Sequence, residues 1–334
     1  MAAFMDADFL LDTPEARKLY HDFAEPMPII DYHCHISPRE IWEDKVYPNI
    51  AQLWLGEGGS HFGDHYKWRY MRSCGVAEEF ISGSAPDEER FQKWAWCLSR
   101  AIGNPLYHWS HLELQTYFGI HEPLTEKNAA EIYRRCNQQL QDGSLSVRKI
   151  IQRSNVKVIC TTDDPADSLE WHEKLQKDES FSCKVLPTLR PDKAKAIEGE
   201  GYLGYLQELG RSAGLEIRSY RQLQEALRRR MDFFGEMGCR LSDHALETVV
   251  YAPAEESRVE EIFARRLQGQ LPNAEEQRIF TTAFMLFVGR EYAARGWSCS
   301  CTSAASATTT AGSLPTWVPI RAMTASAPSP TRRS

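Results

Sequence analysis

No run of about 18 apolar residues occurs in this chain, so no membrane span is expected. Its first residues, Met1–Leu11, include two aspartates and no Lys or Arg, which argues against a secretory signal. The nine cysteines form no CxxC pair and follow no regular spacing. They read as reduced thiols of a cytoplasmic protein rather than as a disulfide framework. Positive charge is also short: the net charge is −7, and no Lys/Arg patch interleaved with aromatics offsets it. Nucleic acid is therefore not expected as a partner. The glycine-rich stretch from Gly56 to Gly63 lacks Walker spacing and a Lys-Ser/Thr pair, so it is not read as a phosphate cradle. What remains is a globular composition, 334 residues with 42% hydrophobic and 25% charged, ample for a sizeable core.

One absence is local. Residues 298–334 contain no Asp, Glu or Lys, and Ser, Ala, Thr and Pro account for 26 of these 37 residues. Such a composition cannot bury enough apolar surface to offset chain entropy, so disorder is expected there. The genetic code suggests a cause. Trp297–Ser303 can be written in codons that, with one base restored, translate as Trp-Val-Met-Gln-Leu-His-Ile, an apolar strand ending in histidine. Two later stretches translate sensibly in the same frame. Residues 298–334 are accordingly read as an out-of-frame tail, and sequencing the gene across codon 297 checks this.

Ahead of the tail, patterning assigns three regions. Residues 1–49 hold a short helix over 14–23 and a first strand over 28–33 that opens on the apolar Pro28-Ile29-Ile30, with a helix starting at Pro38. Residues 50–153 read as a helical insertion rich in Trp and Tyr, including Glu88–Ala101, His111–Phe118 and Thr125–Leu140. Over 154–297, β-branched strands alternate with helices. Val156–Cys160, Cys183–Leu189 and Cys239–Leu241 are the strands; Leu203–Gly210, Tyr220–Phe234 and Glu256–Gln268 are among the helices. Alternation of this kind predicts an α/β fold with a parallel sheet under helical cover. Polar residues follow each strand, where (β/α)-barrel sites are built. About four βα units are counted, against the eight that close a barrel.

His33-Cys34-His35 is the strongest chemical signal. On a strand Asp31, His33 and His35 share a face, so two imidazoles can reach one metal ion with Asp31 behind them. The alternative is an ordinary polar strand end. Asp64-His65-Tyr66-Lys67-Trp68-Arg69 packs a base, a phenol and a cation into six residues, with an amphipathic surface segment as the alternative. Arg190 follows a strand, where a guanidinium can grip a carboxylate in bidentate fashion or simply form an ion pair. Asp163, Asp164, Asp243 and His244 are candidates by position alone, and His172 reads as a packing or surface residue.

Taken in order, Ile30–His35, Asp64–Arg69, Cys160–Pro165 and Leu189–Asp192 resemble the uronate (glucuronate) isomerase family of the amidohydrolase superfamily, over essentially residues 5–297. The resemblance implies a (β/α)8-type barrel of the amidohydrolase kind with a helical insertion, incomplete here. It implies aldose–ketose isomerisation of hexuronates, D-glucuronate to D-fructuronate and D-galacturonate to D-tagaturonate. It further implies a divalent metal, commonly zinc, on His33 and His35 plus an aspartate of the last barrel strand, which has no counterpart in this chain. His65, Tyr66 and Arg190 match positions that line the family's substrate site; proton transfer or hydroxyl contact is assigned to Tyr66 and His65 and carboxylate binding to Arg190, with Asp163 and His244 added as substrate contacts. Low turnover is expected, and a homo-oligomer is compatible with this reading. A metal-dependent hydrolase of the same superfamily and an inactive pseudoenzyme remain the alternatives.

Overall fold

A computed structural model describes residues 5–60, 62–246 and 248–303. These fall into two compact units: residues up to Ile30 together with Arg39–Lys157, and Asp31–Pro38 together with residues from Val158 onward.

The first unit is helical. Helix Ile50–Leu55 is N-capped by the Asn49 side chain and ends at Gly56, whose φ of 81° puts it in the left-handed region. A Cβ there would stand 2.3 Å from the Phe62 carbonyl oxygen, so only glycine fits. Helix Asp87–Leu98 opens on Asp87, Glu88 and Glu89, which favour the positive end of its dipole. Helix Pro105–Phe118 starts with proline after an Asn104 cap and stops at Gly119 in the left-handed region. It begins six residues ahead of the expected His111, because the cap and the proline lie there. The apolar faces of these helices and of Ala129–Gln141 meet in a core that includes Trp54, Phe91, Trp94, Leu114 and Leu140.

The second unit carries most of the sheet. Strand β1 is Ile29–Asp31, β2 Val156–Cys160, β3 Lys184–Leu186, β4 Leu241–Leu246 and β5 Ser298–Ser303. The order is β1-β2-β3 in one ladder and β4-β5 in another, with β2/β3 and β4/β5 parallel. Parallel bridges at Asp163–Leu189 and Leu189–Ser242 carry the hydrogen bonding on from the end of β2 to β4. Helices Tyr202–Ala213, Tyr220–Glu236, Glu256–Leu267 and Ala274–Arg295 bury Leu209, Leu223, Met231, Phe263, Phe280 and Phe284 in one core. The expected α/β fold with parallel strands is therefore present.

Two observations differ from the expectation. The first strand is shorter than expected, Ile29–Asp31, and its Ile29 and Ile30 are exposed at the end of the ladder order. Ser298–Ser303, placed by composition in a disordered tail, is β5, paired along its length from Leu241↔Ser298 to Leu246↔Ser303. Ladder bonds use backbone groups that every non-proline residue carries, so a Ser/Cys/Thr segment can pair despite lacking apolar side chains. Residues 304–334 lie outside the described residues.

Candidate active site

In the second unit β1 stops at Asp31, so His33 and His35 sit just beyond the strand rather than on it. They still emerge on one side: their rings make an edge contact with centroids 4.8 Å apart, while Cys34 between them is buried. Burial pushes the Cys34 thiol up to about 12, which leaves it a neutral packing group.

Asp243 on β4 faces this pair. Its side chain is 1% exposed, and one oxygen lies 3.9 Å from His33 Nδ1 and 3.1 Å from Arg190 Nη1. Neither carboxylate oxygen accepts a hydrogen bond of good geometry. A buried anion with its acceptor sites unused is costly, and such a group at a strand end calls for a partner. Arg190 is fixed by a second bond, Nε to Asp192 at 2.8 Å. Asp192 also takes Lys195 Nζ and the Ala245 amide, which ties the Arg190 loop to β4. Burial raises the Asp192 carboxyl, but Lys195 and Arg190 together outweigh it and hold the group below the usual carboxylate range.

The other candidates are placed elsewhere. His244 follows Asp243 on β4 and so takes the opposite face. It is buried there with Nε2 3.1 Å from Tyr292 Oη, and burial lowers it to about 4. Asp163 is buried at the end of β2, where its carboxylate accepts from Thr161 Oγ1 at 2.7 Å and from the Thr188 amide at 3.1 Å. His172 Nε2 completes this cluster, 2.8 Å from Thr161 Oγ1. It also stands 3.7 Å from Asp163, but burial lowers His172 to about 4, so the two do not form an ion pair at neutral pH. His65 and Tyr66 belong to the first unit, as the first two residues of helix His65–Ser73, with rings 4.4 Å apart. Asp64 caps that helix through the Tyr66 and Lys67 amides and holds the buried Lys67 ammonium at 2.6 Å. An open cavity of about 890 Å³ in the first unit, lined by Phe9, Tyr20, His108 and Trp109 among others, contains none of the candidates.

Burial pushes the Asp163 carboxyl up to about 7, above the 3.8 of an unfolded aspartate. A raised folded value means the neutral form favours the fold: the contribution is full below 3.8 and is lost as pH rises toward 7. Asp163→Asn should therefore gain on the parent protein as pH rises, by a few kcal/mol between pH 4 and 8 at about 1.4 kcal/mol per pH unit. Urea unfolding at the two pH values checks this; a pH-independent difference would contradict it.

Among the described residues no three His, Cys, Asp or Glu side chains stand together in ligating geometry. His33 and His35 supply two nitrogens, and Asp243 is the nearby carboxylate with unused acceptor sites. From the sequence Asp243 is a candidate by position alone. Its burial opposite Arg190 is a tertiary fact with no local signature.

Comparison with known proteins identifies the family. A family model described as glucuronate isomerase matches residues 1–310. A uronate isomerase of Lachnospira eligens is 56% identical over 297 residues, covering 89% of this chain and 62% of that protein. One from Lachnoclostridium phytofermentans is 54% identical with the same coverage. This chain thus spans about three fifths of the length of these relatives. The crystal structure of uronate isomerase from Thermotoga maritima superposes with a TM-score of 0.83 at 31% identity, covering 90% of this chain and 65% of that one. Glucuronate isomerase from Caulobacter crescentus shares the fold, with a TM-score of 0.78 at 22% identity, covering 85% and 59% of the two chains. With the family model matched over nearly the whole chain, the chain belongs to the glucuronate isomerase family.

Proposed function

We propose that this chain carries the site of a hexuronate aldose–ketose isomerase, on a (β/α)8-type barrel of the amidohydrolase kind, acting between D-glucuronate and D-fructuronate and between D-galacturonate and D-tagaturonate. The observation that carries the reading is His33 and His35 in edge contact, beside a buried Asp243 carboxylate whose oxygens accept no hydrogen bond. Two imidazoles and a carboxylate are donors that suit a divalent ion such as zinc, with positions left for substrate oxygens. His33 and His35 would hold that ion. When bound, it supplies polarisation of the substrate oxygens.

The rest of the chemistry falls to the side chains. Isomerisation takes the proton from C2 of the aldose and returns one to C1, while a hydroxyl proton passes between the two oxygens, by way of an enediol. Tyr66 and His65 are the groups we assign to proton transfer, by the match of their motif to the family. Arg190 is assigned to the substrate carboxylate, its guanidinium already oriented by Asp192 and Asp243. Asp163 and His244, once candidates for substrate contact, fit supporting roles better, since their bonds run to Thr161, Thr188 and Tyr292. Relatives named as uronate isomerases favour this reading over a hydrolase.

Purified chain stripped with a chelator and reloaded with zinc is expected to form ketose acid from either uronate. The yield of active protein should be low, because an exposed β1 leaves Ile29 and Ile30 on a strand edge open to aggregation. His33→Ala should abolish the reaction. Zinc-loaded chain that forms no ketose above background, or a reaction indifferent to His33→Ala, would overturn the proposal.

A further inference from the structure

Two neighbouring threonines close β2, and they are used on opposite sides. The Thr161 hydroxyl is buried with Asp163 and His172, and the Thr188 amide joins that cluster, so the end of β2 is locked to the segment after β3. Thr162 turns the other way. Its Oγ1 donates to the Cys34 carbonyl at 3.1 Å, while the Cys34 amide donates to the Cys160 carbonyl at 2.9 Å. Cys34 is the residue between the two histidines.

The consequence follows from peptide geometry. The Cys34 N–H lies in the peptide plane shared with His33, and the Cys34 C=O lies in the plane shared with His35. Anchoring both groups to one rigid strand end fixes the orientation of both planes, and with them the directions in which the two imidazoles leave the backbone. The segment has no ladder of its own at this point, since β1 ends at Asp31. We infer that Thr162 is a positioning residue for His33 and His35, holding the Cys34 carbonyl so that the two rings keep their 4.8 Å edge contact. Losing a group that orients metal-ligating histidines commonly lowers metal affinity by about 10–100-fold. The geometric part stands without any metal; its consequence for affinity rests on reading the two histidines as ligands.

Thr162→Val keeps the β-branched shape and removes the hydroxyl, whereas Thr162→Ser keeps the hydroxyl. In metal-free protein, hydrogen exchange of the segment around Cys34 should accelerate about threefold to tenfold in Thr162→Val, the worth of one hydrogen bond, and should stay at the parent rate in Thr162→Ser. Exchange elsewhere in the chain should not change. Zinc affinity, read by competition with a chromophoric chelator, should fall about tenfold or more in Thr162→Val and be restored in Thr162→Ser. Unaltered exchange at this segment in Thr162→Val, faster exchange spread evenly over the chain, or a serine variant that behaves like valine would each overturn the inference. A parent protein that takes up no zinc removes the metal reading instead, and the exchange contrast still decides the role of Thr162.

Discussion

Replacing Arg190 by methionine is expected to destabilise the protein by about 3–5 kcal/mol, the cost of breaking a buried ion pair from one side. Asp243 is almost fully buried and has Arg190 Nη1 at 3.1 Å as its counter-charge; its next cationic neighbour, His33, stands at 3.9 Å and is charged only if protonated. Asp192, the other partner of Arg190, keeps Lys195 and the Ala245 amide when the guanidinium is removed. The loss therefore arises at Asp243, and it should largely vanish when the negative charge is removed as well. Arg190→Met combined with Asp243→Asn should recover more than half of the loss, a strong departure from additivity between neighbours. Urea unfolding of the two single variants and the double variant measures this. A double variant as unstable as the sum of the singles would show that Arg190 acts through packing rather than charge.

The second large effect belongs to the first unit. Arg90 is completely buried, and Nη1 donates to the Gly56 carbonyl at 2.9 Å while Nη2 donates to Ile81 at 3.0 Å. Its pairing with Asp87, also 2.9 Å, closes the fork. One guanidinium thus ties the end of helix Ile50–Leu55, the turn at Ile81 and helix Asp87–Leu98. Arg90→Met strands the Gly56 and Ile81 carbonyls at about 1–3 kcal/mol each and weakens the support of Asp87, so a total near 3–5 kcal/mol is expected. Arg90→Lys should recover less than half, because a single ammonium cannot span the fork. Burial raises the Asp87 carboxyl, but bonds from Asn49, Gln52 and Arg90 more than compensate and hold it below its ordinary 3.8. A depressed carboxylate contributes fully above 3.8 and is lost as pH falls through its folded value, so the Arg90 variants should lose part of the parent's acid sensitivity. Unfolding midpoints within about 1 kcal/mol of the parent would refute this role for Arg90.

How much of this could be read without coordinates depends on the range of the cause. Tyr220–Glu236 and Glu256–Leu267 were legible nearly to their ends, since an apolar stripe and a cap are local features. Helix Ala274–Arg295 was missed although it carries an Asn273/Glu276 capping box. Its buried Phe280, Phe284, Phe287 and Val288 alternate with apolar Met285 and the exposed Leu286, so no clean stripe appears. Strand β5 was missed for the opposite reason: Ser, Cys and Thr carry little patterning, and its pairing with β4 is a backbone matter.

In the candidate site the sequence by itself determined the residue types and one local spacing. Histidines two apart share a side wherever the chain stays extended, and an arginine after a strand end is placed to meet an anion; that the two rings still meet beyond the end of β1 is seen only in the structure. Only the tertiary structure decided which of the later aspartates faces that pair. Asp163 lies just past β2, and Asp243 and His244 are neighbours on β4, yet Asp163 is spent on Thr161 and Thr188, His244 turns to Tyr292, and Asp243 alone of the three is set beside His33 and Arg190. The reason is physical. Alternation along a strand says which residues share a face, but the partner of that face, and the burial that shifts a carboxyl or an imidazole, come from other segments, from Thr188, 25 residues from Asp163, to His33, 210 residues from Asp243.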